Sequence, residues 1–110
     1  MSFNIASTSK VSTISGTYNI TKSDAVGSVF IADDSSAVVF NLPLASSVTA
    51  GTYYTIKKQG GSGTVSINRS GSDTIDGSTS KTISGSQVWD TYTVTSDGVD
   101  KWYFLSFGAS

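Results

Sequence analysis

The chain contains no cysteine, no histidine and no glutamate, and only one proline in 110 residues. Without Cys or His there is no disulfide, thiolate zinc site, cysteine nucleophile or histidine base, which removes the commonest hydrolase triads and most transition-metal sites. Charge is scarce as well, at 14% of residues with a formal net charge of −1. The 7 basic residues are scattered, so the clustered cations that neutralise phosphates are missing and nucleic acid is not an expected partner. No stretch approaches the ~18 apolar residues of a membrane span. Met1-Ser2-Phe3-Asn4 shows neither a basic nor an apolar leader region. These features predict no membrane partner, and a product that stays in the cytoplasm until something carries it elsewhere.

What is abundant is Ser, Thr, Val, Ile and Gly. Ser and Thr make 36 residues and Gly 11, while Val, Ile and Thr together make 32 against only 3 Leu. β-Branched side chains suit a pleated surface and lose χ1 freedom in a helix, so the fold class is all-β. The length allows one domain.

Residues 1–22 are polar with faint alternation at Val11-Ser12-Thr13-Ile14 and Tyr18-Asn19-Ile20, and read as an extended N-terminal arm. Such an arm is either mobile or ordered on another surface, and removing residues 2–20 is expected to leave the body folded. Residues 23–110 read as a single antiparallel domain. Ser28–Ala32 and Ala37–Leu42 flank Asp33-Asp34-Ser35-Ser36 and read as a hairpin that Pro43 ends, because proline cannot donate to a ladder. Thr52–Lys58 and Thr64–Asn68 flank Gly60-Gly61-Ser62-Gly63, read as a second hairpin turn. Short segments at Gly71–Gly77 and Ser80–Ile83 follow. Val88–Thr95 and Lys101–Ser106 enclose Ser96-Asp97-Gly98-Val99-Asp100, a hairpin loop signal. Many short strands at this spacing predict an antiparallel β-sandwich or a jelly-roll-like domain.

Two segments depart from simple alternation. Val38-Val39-Phe40 and Trp102-Tyr103-Phe104-Leu105 are apolar on both faces. One face serves the core, and the other needs a second layer or a neighbouring subunit. These seven residues are the candidate core or oligomer interface.

Candidates for chemistry are few. Asp is the only acid, in the pairs Asp33/Asp34, Asp73/Asp76 and Asp97/Asp100. Paired carboxylates could serve glycoside hydrolysis or hold Ca²⁺, but each pair sits in a turn, where Asp caps its own backbone. Ser7-x-x-Lys10 and Ser78-x-x-Lys81 match a serine-acylase pattern by chance in a chain with 22 serines, and the companion motifs are missing. No catalytic residue, metal ligand or cofactor is expected. Among the aromatic residues, Tyr53 and Trp89 are the candidates for contact with a glycan or another partner, because a ring among Ser, Thr and Asn can stack on a sugar.

The order Val38-Val39-Phe40-Asn41-Leu42-Pro43, Ala45–Gly51, Tyr54-Thr55-Ile56-Lys57-Lys58, Val65-Ser66-Ile67, Asp73–Gly77, Ser96-Asp97-Gly98 and Trp102-Tyr103 resembles a β-rich module of tailed-bacteriophage virion proteins. Tail fibres, head appendages and small capsid-decoration proteins carry it. The likeness covers about three-fifths of the chain. It departs in a loop after Gly98 that is one residue longer and in Trp89, where a Tyr is usual. The resemblance implies a virion structural role, often as a trimer, with no catalytic residues; the expected partners are further copies of the chain and a major capsid protein or another virion protein. The short chain has neither heptads nor Gly-X-Y triplets for a fibre shaft, so the expectation is a trimeric capsid-decoration (cement) or head-appendage protein located in the virion. The alternative is a tail-fibre module recognising host glycan.

Overall fold

Followed in space, the first six strands form rows instead of hairpins. The computed structural model describes residues 9–85 and 89–107, and its first half winds through three successive coils. The first coil is β1 (Val11–Ile14) and β2 (Thr17–Asn19), the second β3 (Val29–Ala32) and β4 (Val38–Asn41), the third β5 (Tyr53–Lys58) and β6 (Val65–Asn68). The leading strands stack in parallel as β1-β3-β5, and the trailing strands stack in parallel as β2-β4-β6. The chain then reverses. After β7 (Thr74–Ile75), β8 (Ser80–Ile83) runs antiparallel to β6, and β9 (Thr91–Ser96) with β10 (Lys101–Phe107) forms a hairpin antiparallel to β5. The result is a six-stranded sheet, β1-β3-β5-β9-β10-β7, facing a four-stranded sheet, β2-β4-β6-β8.

The all-β class is therefore observed, but the architecture is β-solenoid-like, not an antiparallel sandwich or jelly roll. Alternation requires only that Phe30 and Phe40 both point inward, and they do so whether β3 and β4 pair edge to edge or face each other across a core. Here the segments after β3 and β5 carry the chain over to the opposite sheet, so neither expected hairpin exists. The hairpin across Ser96–Asp100 is present, with Trp102 opposite Ser96. Of the expected arm, residues 1–8 lie outside the described residues. Residues 9–22 form the first coil, with Ile20 only 2% exposed. Val88 also lies outside the described residues.

Glycine makes the stacked arches possible. A Cβ at Gly63 would run into the backbone carbonyl of Ser36 in the arch below, and one at Gly61 would strike that of Asp34. The Gly63 amide donates to the Asp34 carbonyl at 2.9 Å, tying the arches together. Gly63→Ala is expected to destabilise the fold by about 3 kcal/mol or more, because backbone and not a flexible side chain must yield; urea denaturation would measure it.

Between the sheets, inward residues form level rows. Val38, Val65 and Ile83 lie in register, as do Tyr18, Phe40 and Ile67. Opposite them, Phe30, Ile56 and Tyr92 form a row, and so do Tyr54, Val94 and Phe104. Aromatic rings run through the body: Tyr18 on Phe30 at 5.1 Å between centroids, Phe30 on Tyr54 at 6.1 Å, and Tyr54 on Trp102 at 6.3 Å. Trp102 is fully buried, and its indole Nε1 donates to the Pro43 carbonyl at 3.2 Å. The inward phase of β5 also buries Lys58, whose Nζ donates to the Gly61 carbonyl at 2.9 Å.

Two loops at one corner are held by polar contacts, buried in the first and more open in the second. The turn Ala45–Ser47 is fixed by Asp73, which accepts from the Ala45 amide at 2.7 Å, and by Ser96, which donates to the Ala45 carbonyl at 3.1 Å. Asp24 holds the facing loop, accepting from the Tyr18 hydroxyl at 2.7 Å and the Thr21 amide at 3.0 Å.

That hydrogen bond, followed by burial and the Asp24 charge, pushes the Tyr18 phenol from 10.0 up to about 12. Tyr54 is also raised, chiefly by burial and then by Asp24. In alkali the unfolded chain releases these protons near pH 10 while the folded chain retains them, so the folded state binds more protons in that window. Stability is expected to be fully present below pH 10 and to fall between about pH 10 and 12, with a shallower fall in Tyr18→Phe. Urea melts across that range would test it.

Candidate functional site

Two surfaces stand out: the outer face of the six-stranded sheet and a cleft at the corner between the two loops. On the sheet face, Val11, Val29, Thr55 and Thr93 form one outward row, and Thr13, Ile31, Lys57 and Thr91 form another. Tyr53, Thr95 and Tyr103 make a third. Leu105 sits at a bulge in β10 and is 64% exposed, Val11 is 70% exposed, and Tyr53 and Tyr103 are each 43% exposed.

The polar groups inside this face are already partnered within the chain. The Thr55 and Thr93 hydroxyls bond each other at 3.0 Å, and Thr95 donates to the Thr52 carbonyl at 3.1 Å. Lys57 lies flat, its Nζ donating to the Trp89 carbonyl at 3.1 Å and the Thr91 hydroxyl at 3.0 Å under the Trp89 ring. Covering the threonine positions leaves their hydroxyls satisfied, which avoids the usual penalty of desolvating polar groups; the Lys57 ammonium, held by neutral acceptors alone, keeps that part of the face open to water.

The seven doubly apolar residues divide between core and surface. Val38, Phe40 and Trp102 are core, and Phe104 packs on Tyr92 at 5.6 Å between centroids. Val39 is half-buried in the outward row Thr17, Val39, Ser66 and Thr82 of the four-stranded sheet, a polar setting. Tyr103 and Leu105 point outward, so the apolar outer surface belongs to the six-stranded sheet. Val11, Val29 and Ile31, which sequence reasoning had not singled out, complete it. Their outward phase in β1 and β3 was the available signal.

Tyr53 and Trp89 are both exposed but do not form a joint platform. Tyr53 begins β5, whereas the Trp89 amide bonds the carbonyl of Lys58 at its far end. Trp89 adopts φ +68°, a left-handed conformation unfavourable for a bulky residue, maintained by its contacts with Lys57 and Lys58. Trp89→Ala is expected to cost about 0.5–1 kcal/mol through the lost cation–π contact, measurable by thermal denaturation.

The cleft, about 360 Å³, has Ile20, Leu42 and Pro43 as its floor and Asn19, Lys22, Ser47 and Ser70 at its rim. Beside it, across Lys22 and Ser47, lies a smaller hollow of about 210 Å³ bordered by Asp24 and Tyr54. Asn19, at the rim, ends a ladder in which the Asn68 side-chain amide donates to Asn41 at 3.2 Å and that of Asn41 donates to Asn19 at 2.9 Å.

The carboxylates act as braces. Asp34 accepts from the Ser36 amide, and Asp97 accepts from the amides of Val99, Asp100 and Lys101, which lower its pKa. Asp73 and Asp76 differ from the expected local caps, reaching instead to the distant amides of Ala45 and Phe104. Among the described residues no three His, Cys, Asp or Glu side chains group as metal ligands. Lys81 lies over the Tyr92 ring at 5.6 Å, and the Ser7-x-x-Lys10 match falls partly outside the described residues. Comparison with protein-family models, curated proteins and solved structures finds no match.

Proposed function

We propose that this chain is a non-enzymatic structural protein of a tailed-bacteriophage virion, a capsid-decoration or head-appendage protein that works as a homotrimer built on the outer face of the six-stranded sheet. The observation that supports assembly is the combination on that face of exposed Val11, Tyr53, Tyr103 and Leu105 with threonine hydroxyls partnered within the chain. With strand spacing of about 4.8 Å and a rise of about 3.3 Å per residue, the face measures roughly 25 by 17 Å, enough for contact with neighbouring copies. The virion role itself rests on the sequence resemblance, and its shell partner is a major capsid protein.

Light scattering is expected to give a trimer or a whole-number multiple of it. Thr93→Arg at the centre of the face should cut the mass to one third while leaving the circular dichroism unchanged. A monodisperse wild-type monomer at micromolar concentration overturns the assembly, and virion density on the tail alone overturns the head assignment.

The corner cleft favours a second reading, a tail-fibre module that binds host glycan. An aliphatic floor under amide, hydroxyl and ammonium groups suits a sugar ring, and its volume falls within the usual range for small-ligand pockets. On this reading a glycan array of the oligomer shows binding that Lys22→Ala weakens and Ser70→Trp abolishes. No binding to any glycan removes it.

A further inference from the structure

The stacked coils end differently at their two extremes. At the far end the edge strands are blunted: β7 has two residues, and β8 carries Lys81. At the near end β1 and β2 are, among the described residues, the edge strands of their two sheets, and residues 11–21 contain neither a charged residue nor a proline. Those are devices by which exposed edges are normally kept from pairing.

The register identifies the groups on offer. In a parallel ladder, alternate residues turn both N–H and C=O toward one neighbour. The Val29 amide bonds the Lys10 carbonyl and the Val39 amide bonds the Gly16 carbonyl, which directs Ser12 and Tyr18 toward the second coil. Val11, Thr13, Thr17 and Asn19 therefore turn their backbone groups outward, away from the body.

From this geometry we infer that the first coil is a self-association edge, where two copies pair end to end across a two-fold axis normal to the sheets. Ser12 and Tyr18 are equally spaced in sequence from Ser15, at the bend between the strands. An axis through these two positions sets Val11 against Thr13 of the partner subunit in one sheet and Thr17 against Asn19 of the partner subunit in the other. All of these are hydrogen-bonding pairs in an antiparallel ladder, so a single operation satisfies both edges and continues both sheets. Isologous pairing of this kind is closed and does not propagate into a filament. The axis runs along the sheet normal and leaves the outer face of the six-stranded sheet free, so the inference does not depend on the trimer: end pairing doubles whatever unit that face builds.

The test is the wild-type full chain studied by light scattering together with residue-resolved amide exchange. The expected mass is twice that of the face-built unit, with the Val11, Thr13, Thr17 and Asn19 amides protected. Thr13→Pro, which removes an outward donor at a position where an edge strand tolerates proline, should halve the mass. So should Thr17→Lys, which places a charge on the other sheet's edge, and neither should alter the circular dichroism. If a variant fails to fold, the wild-type exchange pattern still decides. Rapid exchange of those amides at a concentration where the protein is assembled overturns the inference, as does a mass that Thr17→Lys leaves unchanged. Thr93→Arg separates the two surfaces: it should reduce a hexamer to an end-paired dimer if both readings hold. A wild-type dimer with those amides protected would instead overturn the trimer and keep the edge.

Discussion

Deleting residues 2–20 is expected to abolish cooperative folding. The segment supplies β1 and β2, so its loss removes the parallel partners of β3 and β4. It also removes Ile14, Tyr18 and Ile20, which pack on the core, and uncovers Phe30, whose ring rests on Tyr18. Burying an aliphatic or aromatic side chain contributes about 1.5–3 kcal/mol. With two of the three only partly buried, the loss is about 5 kcal/mol, comparable to the whole stability of a small domain. Urea denaturation followed by tryptophan fluorescence should show no folded baseline or a midpoint near zero denaturant. A deletion variant with unchanged midpoint would mean that the first coil is an appendage after all. The polar composition of residues 1–22 suggested that outcome, because composition does not reveal that a few apolar residues complete rows begun elsewhere.

Trp102→Ala should be the most damaging single substitution, at about 3–5 kcal/mol. The indole is fully buried, stacks with Tyr54, and donates through Nε1 to the Pro43 carbonyl. Truncation leaves both a cavity and a carbonyl without its donor. Trp102→Phe separates these effects: it keeps most of the ring volume and should cost about 1–2 kcal/mol, the scale of one lost hydrogen bond with some packing defect. Equal losses for the two variants would show that the hydrogen bond, not the packing, dominates. Chemical denaturation of both would measure this.

Much of the body was legible. The segments expected at 28–32, 37–42, 52–58, 64–68, 80–83 and 101–106 coincide with β3, β4, β5, β6, β8 and β10 to within a residue at most boundaries. Even the faint alternation at Val11–Ile14 marked β1. At the sheet face, Tyr103 and Leu105 stood out because their strand is apolar on both sides. Val29 and Ile31 did not, since a mixed run such as Val-Phe-Ile-Ala does not say which of its faces is covered. The corner cleft left no local signal, because its floor and rim come from three loops far apart in sequence.

Composition and period-two patterning were enough to exclude cysteine and histidine chemistry, place the strands, and orient Phe30, Phe40, Tyr54 and Trp102 inward. They could not select each strand's neighbour. That selection depends on whether an arch such as Gly60–Gly63 folds a strand back beside its predecessor or carries it across the core. The close approach of Gly63 to Ser36 and the row Val38, Val65 and Ile83 favour the crossing. Those contacts join residues 18 to 27 positions apart, and they exist only once the coils are stacked.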